Sequence, residues 1–191
     1  MTKYSEAIER YRGVRDAAYH LTWELWSQQL NSASIDLRLD GVDDGALQQA
    51  ETVWSSLEDE DRPPIFPWRE IVRQVRSTPR RFDMAIGNGS VLCGMVCGKA
   101  SKGRKGDDMG HQDDDTNVTL RFLQGAPSTI NPLRGHIAAI CLDAASAYAL
   151  ALGKSKIYLK DPLDGVRPHY EKLGFTLANR RARGIYLVRN L

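Results

Sequence analysis

Cysteine is scarce in this chain of 191 residues: Cys93, Cys97 and Cys141 are too few, and odd in number, for a disulfide framework. Long apolar runs are missing as well. No segment approaches the roughly 18 consecutive apolar residues of a membrane span, and the opening MTKYSEAIERYRGVRD has no apolar stretch of the kind a secretory leader needs. The sequence therefore points to a protein without a membrane segment, expected in the cytoplasm. A dominant charge is also lacking. Lys and Arg number 26 against 24 Asp and Glu, a formal charge of +2 with both signs interspersed, so there is no electrostatic footprint for nucleic acid as the primary ligand. No internal repeat and no second compositional block is found. With 42% hydrophobic residues, the whole of 1–191 reads as one domain able to bury a sizeable core.

What is present is a series of short elements. Residues 5–30 place Ile8, Tyr11, Val14, Ala18, Leu21, Leu25 and Trp26 mostly three or four apart, the spacing of a helix. Residues 35–39 alternate as a strand. Residues 44–57 and 68–75 read as two short helices, separated by Pro63, Pro64 and Pro67. Residues 82–86 and 91–99 form a hairpin across Gly87-Asn88-Gly89, with Asn-Gly as its clearest local sign, and a third strand spans 117–123. Between these strands, SKGRKGDDMGHQDDDT over 101–116 reads as a solvated loop. Neither the spacing nor the number of ligands around Asp113, Asp114, Asp115 and His111 matches a metal site, so no metal is expected. Cys93 and Cys97, four apart on one strand, are expected on the same face. They are read as small buried apolar groups rather than as metal ligands with His136 or Cys141.

Residues 131–175, NPLRGHIAAICLDAASAYALALGKSKIYLKDPLDGVRPHYEKLGF, carry the most information. A Pro-Arg-Gly turn opens an Ala-rich helix, a short strand follows at 156–160, and a second helix bears His169 and Tyr170 before Gly174 ends it. This order resembles the GCN5-related N-acetyltransferase (GNAT) family, in which an Arg-Gly loop before a long helix holds the CoA pyrophosphate and a Tyr-x-x-x-Gly-Phe helix follows the next strand. The second motif is intact as Tyr170 to Phe175. The first departs from the family pattern Gln/Arg-x-x-Gly-x-Gly/Ala. With Ala138 in the last position, His136 falls where the middle glycine is expected and Leu133 where the Arg or Gln is expected, and Arg134-Gly135 is displaced by one residue.

The resemblance implies an α+β fold: a mixed, mostly antiparallel central sheet flanked by helices, with the core over 33–191 and an extra N-terminal helix over 1–30. It implies transfer of an acyl group from acetyl-CoA, or another acyl-CoA, directly to an amine. Under it, the amides of Phe122, Leu123 and Gln124 polarise the thioester carbonyl. Leu133, Arg134, Gly135, His136, Ile137 and Ala138 form the cofactor loop, whose backbone N–H groups at a helix start suit an anion. Tyr170 matches the position whose phenol donates a proton to the departing thiolate, as a protonated tyrosine can near neutral pH. The strand at 117–123 lacks the family's Glu, which leaves Asp161 and Asp115 as candidate bases or as ordinary loop residues. Trp54, Phe66 and Trp68 are candidates for an acceptor pocket wall or for core. The basic turn Asn179 to Arg183 reads as a recognition loop for an acidic acceptor or a cofactor phosphate, or as a solvated hairpin tip. The acceptor is an amine on a small molecule or a protein; the sequence leaves room for a tRNA-borne amine and for a homodimer. The alternative is a member of this fold without catalysis, serving as a CoA-binding or protein-interaction module.

Overall fold

The structure, a computed structural model, describes residues 2–30, 34–57, 64–102, 116–127, 131–178 and 184–191. Helix α1 (Lys3–Leu30) is followed by β1 (Leu37–Asp40) and then α2 (Asp44–Gln49), which runs on through a wider turn at Ala50–Trp54 and a tighter one at Ser55–Leu57. Then come α3 (Trp68–Arg76), β2 (Arg81–Asn88), β3 (Val91–Ala100), β4 (Asn117–Gly125), α4 (Ile137–Ala151), β5 (Lys156–Lys160), α5 (Arg167–Lys172), β6 (Thr176–Leu177) and β7 (Tyr186–Asn190). The strands form one sheet in the order β1-β2-β3-β4-β5-β7-β6, antiparallel throughout except for the parallel pair β4 and β5. This is the mixed, mostly antiparallel architecture expected from the sequence.

Two apolar layers sandwich the sheet. On one face, residues of α1, α4 and α5 pack on Phe82, Met84, Ile86, Val96 and Val118. On the other, α2 and α3 pack on Ala85, Leu92, Met95 and Cys97. Cys93 and Cys97 lie in opposite layers, not on one face as their spacing suggests. The reason is a bulge: Ile86 pairs with Gly94 and Gly87 with Leu92, so Cys93 is an extra residue that reverses the alternation. The hairpin turn is also one residue later than Asn88-Gly89 implies. Asn88 pairs with Val91, leaving Gly89-Ser90 as the turn, while the Asn88 side chain accepts a 2.8 Å bond from the Asp36 amide.

The N-terminal helix is built into the sheet rather than appended to it. The Ala100 amide donates to the Arg80 carbonyl, so the alternate carbonyls of Arg81 and Asp83 face the opposite side of β2, beyond the end of β1 at Ala85. Side chains fill that edge. Tyr19 donates its hydroxyl to the Asp83 carbonyl, and Arg15 and Tyr148 each donate to the Arg81 carbonyl at 3.2 Å. The Asp83 carboxylate, only 2% exposed, accepts from Arg81 Nε at 2.9 Å and lies 3.8 Å from Arg15 Nε. Burial raises its pKa despite both guanidinium groups.

The inward stripe of α1 is consequently part polar: Arg15, Ala18, Tyr19, Thr22, Trp26 and Leu30 are buried. Leu21 and Leu25, counted on its apolar face from the sequence, are exposed. Tyr19→Phe removes the partner of a strand-edge carbonyl and is expected to cost about 1–3 kcal/mol. Denaturant unfolding reads this directly, and an unchanged midpoint would mean that the edge is satisfied by other groups.

Candidate active site

β4 and β5 pair only from Asn117–Lys156 to Leu120–Leu159, and β4 then runs on to Gly125 without β5 beside it. The strands part at the point where β4 is itself irregular. Cys97 pairs with Phe122 and Gly98 with Leu120, so Arg121 is the extra residue of a second bulge. Gly98 permits it. A Cβ there would collide with the Thr119 carbonyl oxygen and lie 2.9 Å from Leu120 Cα.

Past the bulge, the Ala126 amide donates to the Cys93 carbonyl at 2.8 Å. Counting back by twos, Gln124 and Phe122 turn their amides to β3, and Leu123 turns its amide into the opening. Of the three amides expected to polarise a carbonyl, only that of Leu123 faces the gap. Gln124 has another task. Its Oε1 accepts from the Phe66 amide (3.1 Å) and Trp68 Nε1 (3.0 Å), and its Nε2 donates to the Pro64 carbonyl (3.2 Å), pinning the segment before α3 over the sheet.

The opening between β4 and β5 leads to a cavity of about 700 Å³. Its wall takes in Ile65, Phe66 and residues 120–127 on one side, Gly135, Ile137 and Ala138 at the start of α4, and Leu159 to Leu163, Val166, His169 and Tyr170 on the other. The lining is predominantly apolar, as in sites that bury most of a small ligand. Tyr170 is 8% exposed, its ring packs edge-on to Phe175 at 6.1 Å, and its hydroxyl has no hydrogen-bond partner among the described residues. Burial, with a smaller contribution from Cys141, pushes its pKa up to about 12. His169 also reaches the cavity, but from the exposed rim.

The loop before α4 divides its residues between support and site. Leu133 is fully buried in the core, and its amide donates to Asn131 Oδ1 at 3.0 Å, so it holds the loop from below instead of occupying a ligand-facing position. The Arg134 and His136 amides are taken by the carbonyls of Asn131 and Leu133, both at 3.0 Å. The His136 ring rests edge-on against Trp26 of α1, 5.6 Å away, and is not part of the cavity wall. Among the described residues, the amides of Gly135, Ile137, Ala138 and Ala139 donate to no protein group. Gly135 adopts φ +87°, which carries the chain around into the helix and leaves these amides together. Arg134 is exposed on the outer side of the same loop and has no carboxylate partner among the described residues.

Three other expectations resolve as follows. Trp54 and Trp68 are each 1% exposed and belong to the core under α2 and α3, whereas Phe66 does form a cavity wall. Asp161 lies at the cavity mouth with φ +49°; its Oδ1 accepts from the Ile185 amide at 2.8 Å and its own amide donates to the Ile185 carbonyl at 2.7 Å, so it fastens the end of β5 to the chain entering β7. Asp115, the run Asp113 to Asp115 with His111, and the basic turn at 179–183 lie outside the described residues. Sequence reasoning missed Ile65, Lys160, Leu163 and Val166 as wall residues, because nothing local marks a residue at a strand end or in a loop that faces a gap opened by strands elsewhere in the chain.

Comparison with solved structures decides the architecture. An acetyltransferase of the GNAT family from Staphylococcus aureus aligns with 81% of this chain and 99% of its own, with a TM-score of 0.55 and 12% identity. The chain has the GNAT fold. An acetyltransferase from Streptococcus agalactiae gives 82% and 99% coverage, a TM-score of 0.56 and 15% identity. PaiA N-acetyltransferase from Thermoplasma acidophilum, solved in complex with coenzyme A, gives 81% and 99%, a TM-score of 0.53 and 11% identity. No family model matches the chain, and no curated protein matches it in sequence. Among the described residues, no helix is long and apolar enough to cross a membrane.

Proposed function

We propose that the protein is an acyl-CoA-dependent N-acyltransferase, most simply an N-acetyltransferase, acting at the opening between β4 and β5. The observation that carries this reading is the convergence on one cavity of three amides, those of Gly135, Ile137 and Ala138, that have no partner among the described residues at the start of a 15-residue helix, a strand amide aimed into the gap, and a buried, protonated tyrosine. The helix start suits the pyrophosphate of the co-substrate, since free N–H groups and the positive dipole end favour a dianion. Arg134 adds a cation from the outer side of the loop.

The Leu123 amide suits the thioester oxygen, whose negative charge grows as the acceptor nitrogen bonds to the carbonyl carbon. As the carbon–sulfur bond breaks, the Tyr170 hydroxyl supplies the proton for the sulfur, and the phenol is restored by the proton that the new amide nitrogen sheds through solvent. No carboxylate on β4 stands ready as a base, so the amine is taken to arrive deprotonated or to lose its proton to water at the exposed rim. GNAT-fold relatives named as acetyltransferases, one of them holding coenzyme A, support the chemistry as a class.

Calorimetric titration with acetyl-CoA, together with thiol release in the presence of mixed amines, tests the reading. Micromolar binding with turnover is the expected result; binding without turnover over a broad amine panel would favour a CoA-binding module instead. Arg134→Glu reverses charge beside the proposed pyrophosphate site and is expected to weaken CoA binding about ten-fold or more. Unchanged affinity in a folded variant would remove Arg134 from the site.

A further inference from the structure

We propose that the acceptor amine carries an oxyanion, a carboxylate or a phosphate, recognised by Arg121 beside an apolar wall made by Phe66 and Phe122. This rests on the acyltransfer reading and names the substrate class for the same cavity. Arg121 owes its position to the β4 bulge, which leaves it without a partner on β3 and re-aims its side chain; it is exposed and lines the cavity. Its guanidinium carbon lies 5.9 Å from the centre of the Phe122 ring.

What sets Arg121 apart is that it lines the cavity and, among the described residues, has no carboxylate within 4.0 Å, whereas Arg10, Arg80, Arg134 and Arg189, which also lack one, are not part of the wall. Arg12, Arg15, Arg38, Arg69, Arg76 and Arg167 each lie within 4.0 Å of a carboxylate, and among the described residues Arg121 does not. The other cation on the wall, Lys160, is 3.8 Å from Asp161 and sits over the Tyr186 ring. Arg134 belongs to the helix end of the site. Among the described residues, the cavity wall thus has one guanidinium without a carboxylate, left for the acceptor, and its planar fork fits the two oxygens of a carboxylate or phosphate.

The neighbouring surface specifies the rest of the molecule. Phe66 and Phe122 meet edge-on at 5.6 Å and offer an apolar face beside the charge. Arg121 is two residues from Leu123, roughly 7 Å along the strand, so the anion and the reacting nitrogen belong to one compact molecule with an apolar body between them. The oxyanion could be a carboxylate or a phosphate ester, and the two are separated by experiment.

Three probes without an amine isolate the recognition step from turnover: 3-phenylpropionate, 2-phenylethyl phosphate and the neutral 3-phenylpropionamide, each titrated into the full-length protein with and without CoA. In wild type, one or both anions are expected to bind about ten-fold tighter than the amide, the size of a charge-assisted contact. Arg121→Met should abolish that preference and Arg121→Lys restore part of it, with unchanged melting temperatures. Whichever anion shows the larger loss in Arg121→Met identifies the source. Equal binding of anions and amide in wild type, no binding by any probe, or a preference that survives Arg121→Met would each overturn the proposal. Failure of CoA itself to bind would overturn the acyltransfer reading instead, and the anion preference would still be read in the CoA-free titration.

Discussion

Tyr170→Phe is expected to lower turnover about 10- to 10⁴-fold, the span for loss of an acid that water partly replaces, while leaving acyl-CoA affinity nearly unchanged. The ring remains packed against Phe175, and among the described residues no group depends on the hydroxyl for a hydrogen bond. The pH profile provides a second readout. With its pKa pushed up to about 12, the Tyr170 phenol keeps its proton well past pH 10, so the wild-type rate should show no alkaline fall from this group at the pH where a solvated tyrosine ionises. The sign follows from the raised value: the acid is competent below its own pKa and is lost only as pH rises through it. Equal turnover of the two proteins would pass the proton to water or to His169 at the rim.

Gly98→Ala is expected to damage fold and site together. The new methyl would be forced against the β4 backbone at Thr119 and Leu120, and overpacking of this kind costs about 1–3 kcal/mol, a fall in Tm of roughly 2–12 °C for a chain of this size. Relief by straightening β4 would move the residues beyond Arg121 by one position. The Leu123 amide would then turn towards β3 and out of the opening, and Arg121 would rejoin the ladder. Thermal unfolding measures the first effect; acyl-CoA titration and thiol release measure the second. A variant with wild-type Tm and wild-type activity would show that the bulge does not depend on the missing side chain.

The parts of the molecule that were legible in the sequence are those governed by near neighbours. The strand at Lys156–Lys160 is bounded as expected, and α1, α3 and the helical run from α2 on through Leu57 fall within a few residues of their expected limits, because apolar spacing, prolines and turn residues act over three or four positions. The same local reasoning misassigned faces. Leu21 and Leu25 share the apolar spacing that marks α1 but are exposed, because the helix turns Arg15 and Tyr19 towards the sheet, where strand-edge carbonyls require donors. Cys93 and Cys97 were placed together by a period of two that a bulge interrupts. In the loop before α4, matching to a family pattern made Leu133 a ligand contact, although an apolar side chain beneath a turn gains more from burial.

By itself, then, the sequence determined the order and type of the elements and the Tyr170 to Phe175 motif that resembles the GNAT family, whose fold the chain has. The tertiary structure alone decided where the cavity opens and, among the described residues, which amides beside it are free and which cation on its wall has no carboxylate. The physical reason is range. Helix periodicity and turn chemistry are set within a few residues, whereas the parting of β4 from β5, the bulge at Arg121 opposite Gly98, and the closure of the β2 edge by Tyr19 and Tyr148 depend on backbones brought together from distant parts of the chain.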